Sequence, residues 1–138
     1  MVEKFVGTWK IEESKNFGNY LKAIGAPQPL SDGGDKTSPT LYISQKDGDK
    51  MNVVIENGSP TFLNTEVKFT LGEEFDEIPS DGRTDVRSVV TFEEGKLVYL
   101  QKWGGGKETT SVRDIVGDKL VVTLTSGDVV AVRKYHKA

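Results

Sequence analysis

The chain contains no cysteine. That removes a disulfide framework, a thiol nucleophile and a zinc–thiolate cluster together. Histidine is nearly as scarce: His136 is the only one and lies close to the last residue. A Ser-His-Asp triad built on it needs a rigid site that a chain end rarely supplies, so a solvated histidine is expected. No Gly-x-Ser-x-Gly elbow occurs, and a lipid hydrolase or isomerase finds little to work with. Cationic excess is also missing, since 18 Lys and Arg stand against 21 Asp and Glu, for a net charge of −3. Nucleic acid, which wants a basic stripe, is therefore not an expected partner, and neither is stacking on anionic membranes. No apolar run is long enough to cross a bilayer. The opening "MVEKFVGTWK" lacks the basic and apolar regions of a secretory signal. A cytoplasmic protein is the simpler expectation.

What is present is strand pattern. A length of 138 residues suits one domain, residues 1–138, with a real core. "FVGTWKIEES" (5–14) reads as a first strand. In "KNFGNYLKAIG" (15–25), Phe17, Tyr20, Leu21 and Ile24 recur at helical spacing, with Asn16 placed to cap and Gly25 to stop. "APQPLSDGGDKTSP" (26–39) opposes regular helix with prolines and a Gly-Gly pair. From Thr40 the chain alternates short strands with turn signals: "TLYISQK", "KMNVVIEN", "VVTFEE", "KLVYLQKW", "TTSVRDIV", "KLVVTLT" and a final run from Val129. Roughly ten sequentially paired strands imply an all-β antiparallel meander, and closure into a barrel removes exposed edges.

The final run, "VVAVRKYHKA", places Val129, Ala131, Arg133 and Tyr135 on one face. Three of the four are apolar or aromatic, so Arg133 is the odd member. Alternation puts Arg133 and Tyr135 together without saying whether their face is wet. Arg113, on "TTSVRDIV", shares its face with Thr109, Ser111 and Ile115, which is less telling.

Specific residues go further. "GTWKIEESKNF" near the start, "FLNTEVKFTLGEEFDE" (62–77), "SDGR" (80–83), "KLVYLQKW", "ETTSVRD" (108–114) and the closing "VRKY" together resemble the intracellular lipid-binding proteins, most of all the heart or muscle type of fatty-acid-binding protein. The resemblance runs through almost the whole chain in the family's order. It implies a ten-stranded up-and-down β-barrel, the β-clam, capped by short helices after the first strand. It implies a monomeric carrier of one long-chain fatty acid, without a cofactor, making transient contact with membranes. By matched position Arg113, Arg133 and Tyr135 anchor the carboxylate, and Phe62 guards the entrance. Asp81 and Arg83 belong to a polar network in the cavity. Phe17, Tyr20, Leu21, Val122 and Leu124 touch the acyl chain. Two arginines at the anchor disfavour retinol and leave retinoic acid or another acidic lipid as the alternative. The departure is at residues 26–36, where the family's second helix meets Pro27, Pro29 and Gly33-Gly34, so that helix is in doubt.

The other motifs have plain readings. "GEEFDE" (72–77) concentrates four carboxylates, which are expected to face solvent. "DGD" (47–49) lacks the bidentate Glu of a calcium loop and reads as a hairpin turn. "GGG" (104–106) lacks the Gly-Lys-Ser/Thr ending of a phosphate loop. Asn57-Gly58-Ser59 fits a sequon but reads as a turn.

Overall fold

The computed structural model describes residues 2–25, 38–56, 64–77, 85–104 and 106–138. Phe62, Asp81 and Arg83, the doubtful second helix at 26–36 and the Asn57-Gly58 turn lie outside the described residues. The elements run β1 (Gly7–Lys15), α1 (Phe17–Ala23), β2 (Thr40–Lys46), β3 (Lys50–Glu56), β4 (Thr65–Thr70), β5 (Phe75–Glu77), β6 (Val86–Glu93), β7 (Lys96–Trp103), β8 (Lys107–Val116), β9 (Lys119–Ser126) and β10 (Val129–Lys137).

These strands form one antiparallel sheet in the order β4-β3-β2-β1-β10-β9-β8-β7-β6-β5. Sequence neighbours pair except β4 and β5, and β10 returns to β1, so the sheet curls into the expected ten-stranded up-and-down barrel. The edges are β4 and β5. The rings of Phe69 on β4 and Phe75 on β5 stack across them, centroids 5.5 Å apart, so side chains bridge where the described residues show no ladder. Between Ile11 and Glu13 the β1–β10 register shifts, a bulge of the kind that bends a strand around a barrel. The β6–β7 hairpin turns on Glu94 and Gly95, both with positive φ (53° and 80°), which is the primed turn that suits the strand twist.

One end of the barrel is packed solid. Phe5 belongs to a short 3-10 turn (Glu3–Phe5) rather than to the first strand, and its carbonyl accepts a 2.9 Å hydrogen bond from Trp9 Nε1. Val2, Phe5 and Trp9 are buried there with Leu97 and Leu120. At about 1.5–3 kcal/mol for each large apolar side chain removed from water, this plug is a main source of stability.

Helix α1 forms where the spacing of Phe17, Tyr20 and Leu21 predicts it, and it buries all three against β9 and β10 with Ile24 just beyond. Gly25 ends it with φ 83°. The start is different from expectation. Asn16 adopts a left-handed conformation (φ 65°) and its side chain does not cap the helix. Its Nδ2 donates instead to the Val130 carbonyl at 2.9 Å, and its Oδ1 accepts from Asn19. The residue fastens the helix to β10.

Candidate functional site

Strand alternation decides which side chains look inward, and register decides which of them meet. On β10 the inner face carries Ala131, Arg133 and Tyr135, all buried, while Val130 is 48% exposed on the other side. Arg133 therefore stands inside. Across the sheet Arg113 pairs with Val122, and Val122 pairs with Arg133. The two arginines flank Val122 in one row, two ladder steps or roughly 10 Å apart at the backbone. One row away lie Tyr99, Ser111, Leu124 and Ala131. On the opposite side, toward the plug, lie Leu120 and Tyr135.

These rows border a cavity inside the barrel. Arg113, Arg133 and Tyr135 all line it. Helix α1 contributes Phe17, Tyr20 and Leu21, and β9 contributes Val122 and Leu124. The eight candidate residues that lie within the described part of the chain are thus brought to one cavity. Its far wall is apolar, with Leu41, Val53, Ile55, Val67 and Phe69 from β2, β3 and β4.

Two arginines inside a barrel require something to hold them. The Arg133 guanidinium lies 4.0 Å from the centroid of the Phe17 ring, close enough for a cation–π contact. Phe17 in turn stacks on Tyr20, 5.9 Å between centroids. The Arg113 guanidinium lies 5.3 Å from the Tyr99 ring. Its Nε is buried and makes no hydrogen bond among the described residues.

Helix α1 is tied down by a polar chain. Thr109 Oγ1 donates to the Thr125 carbonyl at 2.6 Å, which uses its single proton. The contact of 2.8 Å between Tyr20 and Thr109 hydroxyls then has Tyr20 as donor. The helix is joined to β8 and β9 through this relay and to β10 through Asn16.

The sequence reading missed the most polar part of the wall. Of the four carboxylates in "GEEFDE", Glu73, Glu74 and Asp76 are exposed as expected, and Glu74 and Asp76 pair with Arg87 at 2.9 and 3.3 Å. Glu77 departs from that expectation and lines the cavity. Its Oε1 accepts hydrogen bonds from Ser88 Oγ at 2.7 Å, Gln101 Nε2 at 3.0 Å and the Tyr99 hydroxyl. Burial pushes the Tyr99 phenol well above its usual range, and the neighbouring Glu77 carboxylate adds to that shift. A signal was available. Glu77 stands two residues from Phe75, so an inward Phe75 carries Glu77 inward with it.

Away from the cavity, Glu12 Oε1 accepts from Lys119 Nζ at 2.8 Å and lies 3.2 Å from His136 Nδ1. The histidine joins a surface cluster across β1, β9 and β10. Among the described residues no group of three His, Cys, Asp or Glu converges as a metal site.

Residues 6–138 match the lipocalin / cytosolic fatty-acid binding protein family. Over 138 residues the chain is 74% identical to the bilirubin-inducible fluorescent protein UnaG of Anguilla japonica, covering all of this chain and 99% of that one. The crystal structure of wild-type UnaG superposes with a TM-score of 0.95 over the full length of both chains. The Schistosoma mansoni fatty acid binding protein in complex with arachidonic acid, 38% identical, gives 0.88 over 99% of this chain and 98% of its own. Fatty-acid-binding protein 1 of Echinococcus granulosus, 34% identical, gives 0.89 over 99% and 98%. The resemblance read from the motifs holds across the whole barrel, and the chain belongs to the lipocalin and cytosolic fatty-acid-binding protein family.

Proposed function

We propose that the barrel binds bilirubin, non-covalently, and that the bound pigment fluoresces. The observation that carries this reading is the 74% identity over the full chain to a bilirubin-inducible fluorescent protein. The geometry supports it. Bilirubin is a linear tetrapyrrole with two propionate side chains, and the cavity wall offers two guanidinium groups, Arg113 and Arg133, set apart by one intervening strand. A planar carboxylate suits the forked donors of arginine, and the Tyr135 hydroxyl adds a further donor. Each charge-assisted hydrogen bond contributes roughly 1.5–3 kcal/mol. The apolar wall of β2 to β4 takes the rings and their methyl and vinyl groups. Free bilirubin sheds excitation energy by twisting about its bridges, and a packed barrel restrains that motion.

The second reading is the long-chain fatty acid expected from the sequence. It is favoured by the fatty-acid-binding relatives, one of them in complex with arachidonic acid. The same Arg113, Arg133 and Tyr135 then hold a single carboxylate, and burial of the tail at about 0.8 kcal/mol per methylene supplies most of the affinity. Retinoic acid or another acidic lipid fits the same anchor. On either reading the protein acts as a cytoplasmic monomer that meets membranes only transiently, in keeping with the cytosolic family it belongs to.

Titration of the purified protein with bilirubin, followed by its visible fluorescence, tests the choice. A saturable signal at one pigment per chain, weakened at least tenfold by Arg133→Gln, is expected. Absence of bilirubin binding in a protein that takes up a fluorescent fatty acid would leave the second reading standing alone.

A further inference from the structure

Glu77 is a carboxylate on the wall of a cavity built to receive anions. For a simple fatty acid it is a liability, since it opposes the charge that the ligand brings. Its Oε1 is saturated by Ser88, Tyr99 and Gln101. These three donors come from β6 and β7, and Ser88 and Tyr99 are buried, so they fix the carboxyl group in one orientation. Its Oε2 receives no hydrogen bond from the described residues, and Glu77 borders the cavity. The result is a pre-oriented acceptor offered to a ligand.

We propose that Glu77 is a specificity-determining residue that accepts hydrogen bonds from ligand N–H groups through its second carboxylate oxygen, selecting a pyrrolic acid over a simple fatty acid. This inference rests on the bilirubin reading. Each half of bilirubin carries a lactam N–H beside a pyrrole N–H, a pair of donors spaced for one carboxylate. In the free pigment the molecule's own propionates fill that place. A protein carboxylate at the same donors takes over from one propionate and releases it to an arginine. Glu77 and Arg113 both touch Tyr99, one bonded to its hydroxyl and the other over its ring. The propionate so released belongs to the other half of the pigment, and Arg113 and Arg133 on the same cavity wall are there to receive it. A site that hydrogen-bonds ligand N–H groups discriminates strongly against ligands without them, because its acceptor is otherwise left unpaired.

The test is Glu77→Gln, which keeps the shape and removes the charge. The amide supplies one oxygen: turned toward Ser88, Tyr99 and Gln101 it presents N–H to the ligand's N–H, and turned the other way it presents N–H to Gln101. Bilirubin affinity is expected to fall ten- to hundredfold, with the affinity for a fluorescent fatty acid unchanged or improved. Equal losses for both ligands would mean that Glu77 only supports the wall, and undiminished bilirubin binding would overturn the proposal outright. A measurement on the unaltered protein guards against a variant that folds poorly. A dipyrrinone carboxylic acid should bind at least tenfold more tightly than its N-methylated analogue, and equal binding of the two contradicts the proposal. Failure of the unaltered protein to bind bilirubin at all strikes the functional reading itself, which separates the two failures.

Discussion

Replacing Tyr99 by Phe removes one hydroxyl from the polar wall and little else. The Phe ring keeps the edge contact with Phe75, 6.5 Å between centroids at 75°, and the face beneath Arg113. What is lost is the hydrogen bond to Glu77 Oε1. A bond to a charged group contributes about 1.5–3 kcal/mol, but Glu77 keeps Ser88 and Gln101 as donors and is not stranded. The lower end applies, about 1.5–2 kcal/mol at pH 7, which lowers Tm by roughly 5 °C in a domain of this size.

The pH dependence gives the sharper check. Burial first, and the Glu77 charge second, raise the Tyr99 pKa well above the ordinary value of 10.0. A group whose pKa is raised on folding contributes stability that is complete below its unfolded pKa. That contribution is lost as pH climbs toward the folded value, because only the unfolded chain can release the proton. Above pH 10 the wild type should lose about 1.4 kcal/mol per pH unit from this residue. The Phe variant has no such proton. The stability gap between the two proteins should therefore shrink by about 1.4 kcal/mol at pH 11, while other titrating groups cancel in the difference. Urea unfolding of both proteins at pH 7, 9, 10 and 11 measures it. A gap that stays constant or widens with pH refutes the buried, carboxylate-bonded phenol.

Two further outcomes follow from the surface ties. Glu12→Gln breaks the cluster with Lys119 and His136; the Lys119 hydrogen bond holds the Glu12 carboxyl below its usual 4.5 and raises Lys119. The wild type's advantage in Tm should be present at pH 7 and shrink progressively as pH falls below 4.5, since a depressed carboxyl loses its contribution as it is protonated; an advantage that does not shrink on acidification refutes the pair. Asn16→Ala removes the bond to the Val130 carbonyl and should cost about 0.5–1.5 kcal/mol, with faster amide exchange in α1 than in β10; uniform exchange would show that Asn16 does not fasten the helix.

Eight strands were legible because each carries at least seven residues of pattern, whereas β4, with six residues at Thr65–Thr70, was not read as a strand. β7 spans the same residues, Lys96–Trp103, that the pattern marks. β5 was not legible: three residues, Phe75–Glu77, give alternation too little length to register, and the surrounding acids mask it. Phe5 looked like strand because it is aromatic and adjacent to one, yet its carbonyl is needed by Trp9 across a tight turn. Asn16 looked like a cap because local chemistry favours it; a carbonyl on β10, distant in sequence, competes for its amide. The face shared by Arg133 and Tyr135 was readable from alternation. Which side of the barrel it faced was not, because a period of two is symmetric about the sheet. That Arg113 and Arg133 share one row, with Val122 between them, is a matter of register, which no single strand contains.

The distribution of polarity around the barrel bears on the choice of ligand. A fatty acid is polar at one end, so its carrier needs donors in one place. Here the inner polar groups extend from Glu77 on β5 through Ser88 on β6, Tyr99 and Gln101 on β7, and Ser111 and Arg113 on β8, to Arg133 on β10. Five ladder steps of about 4.8 Å make an arc of roughly 24 Å, and only β9, with Val122 and Leu124, interrupts it. A fatty acid leaves most of that arc to water, whereas a linear tetrapyrrole, polar along its length through N–H, lactam and propionate groups, can engage it in several places at once. The apolar wall of β2 to β4 suits either ligand. The polar wall is what separates them, and Glu77, at its far end from Arg133, is where the separation is sharpest.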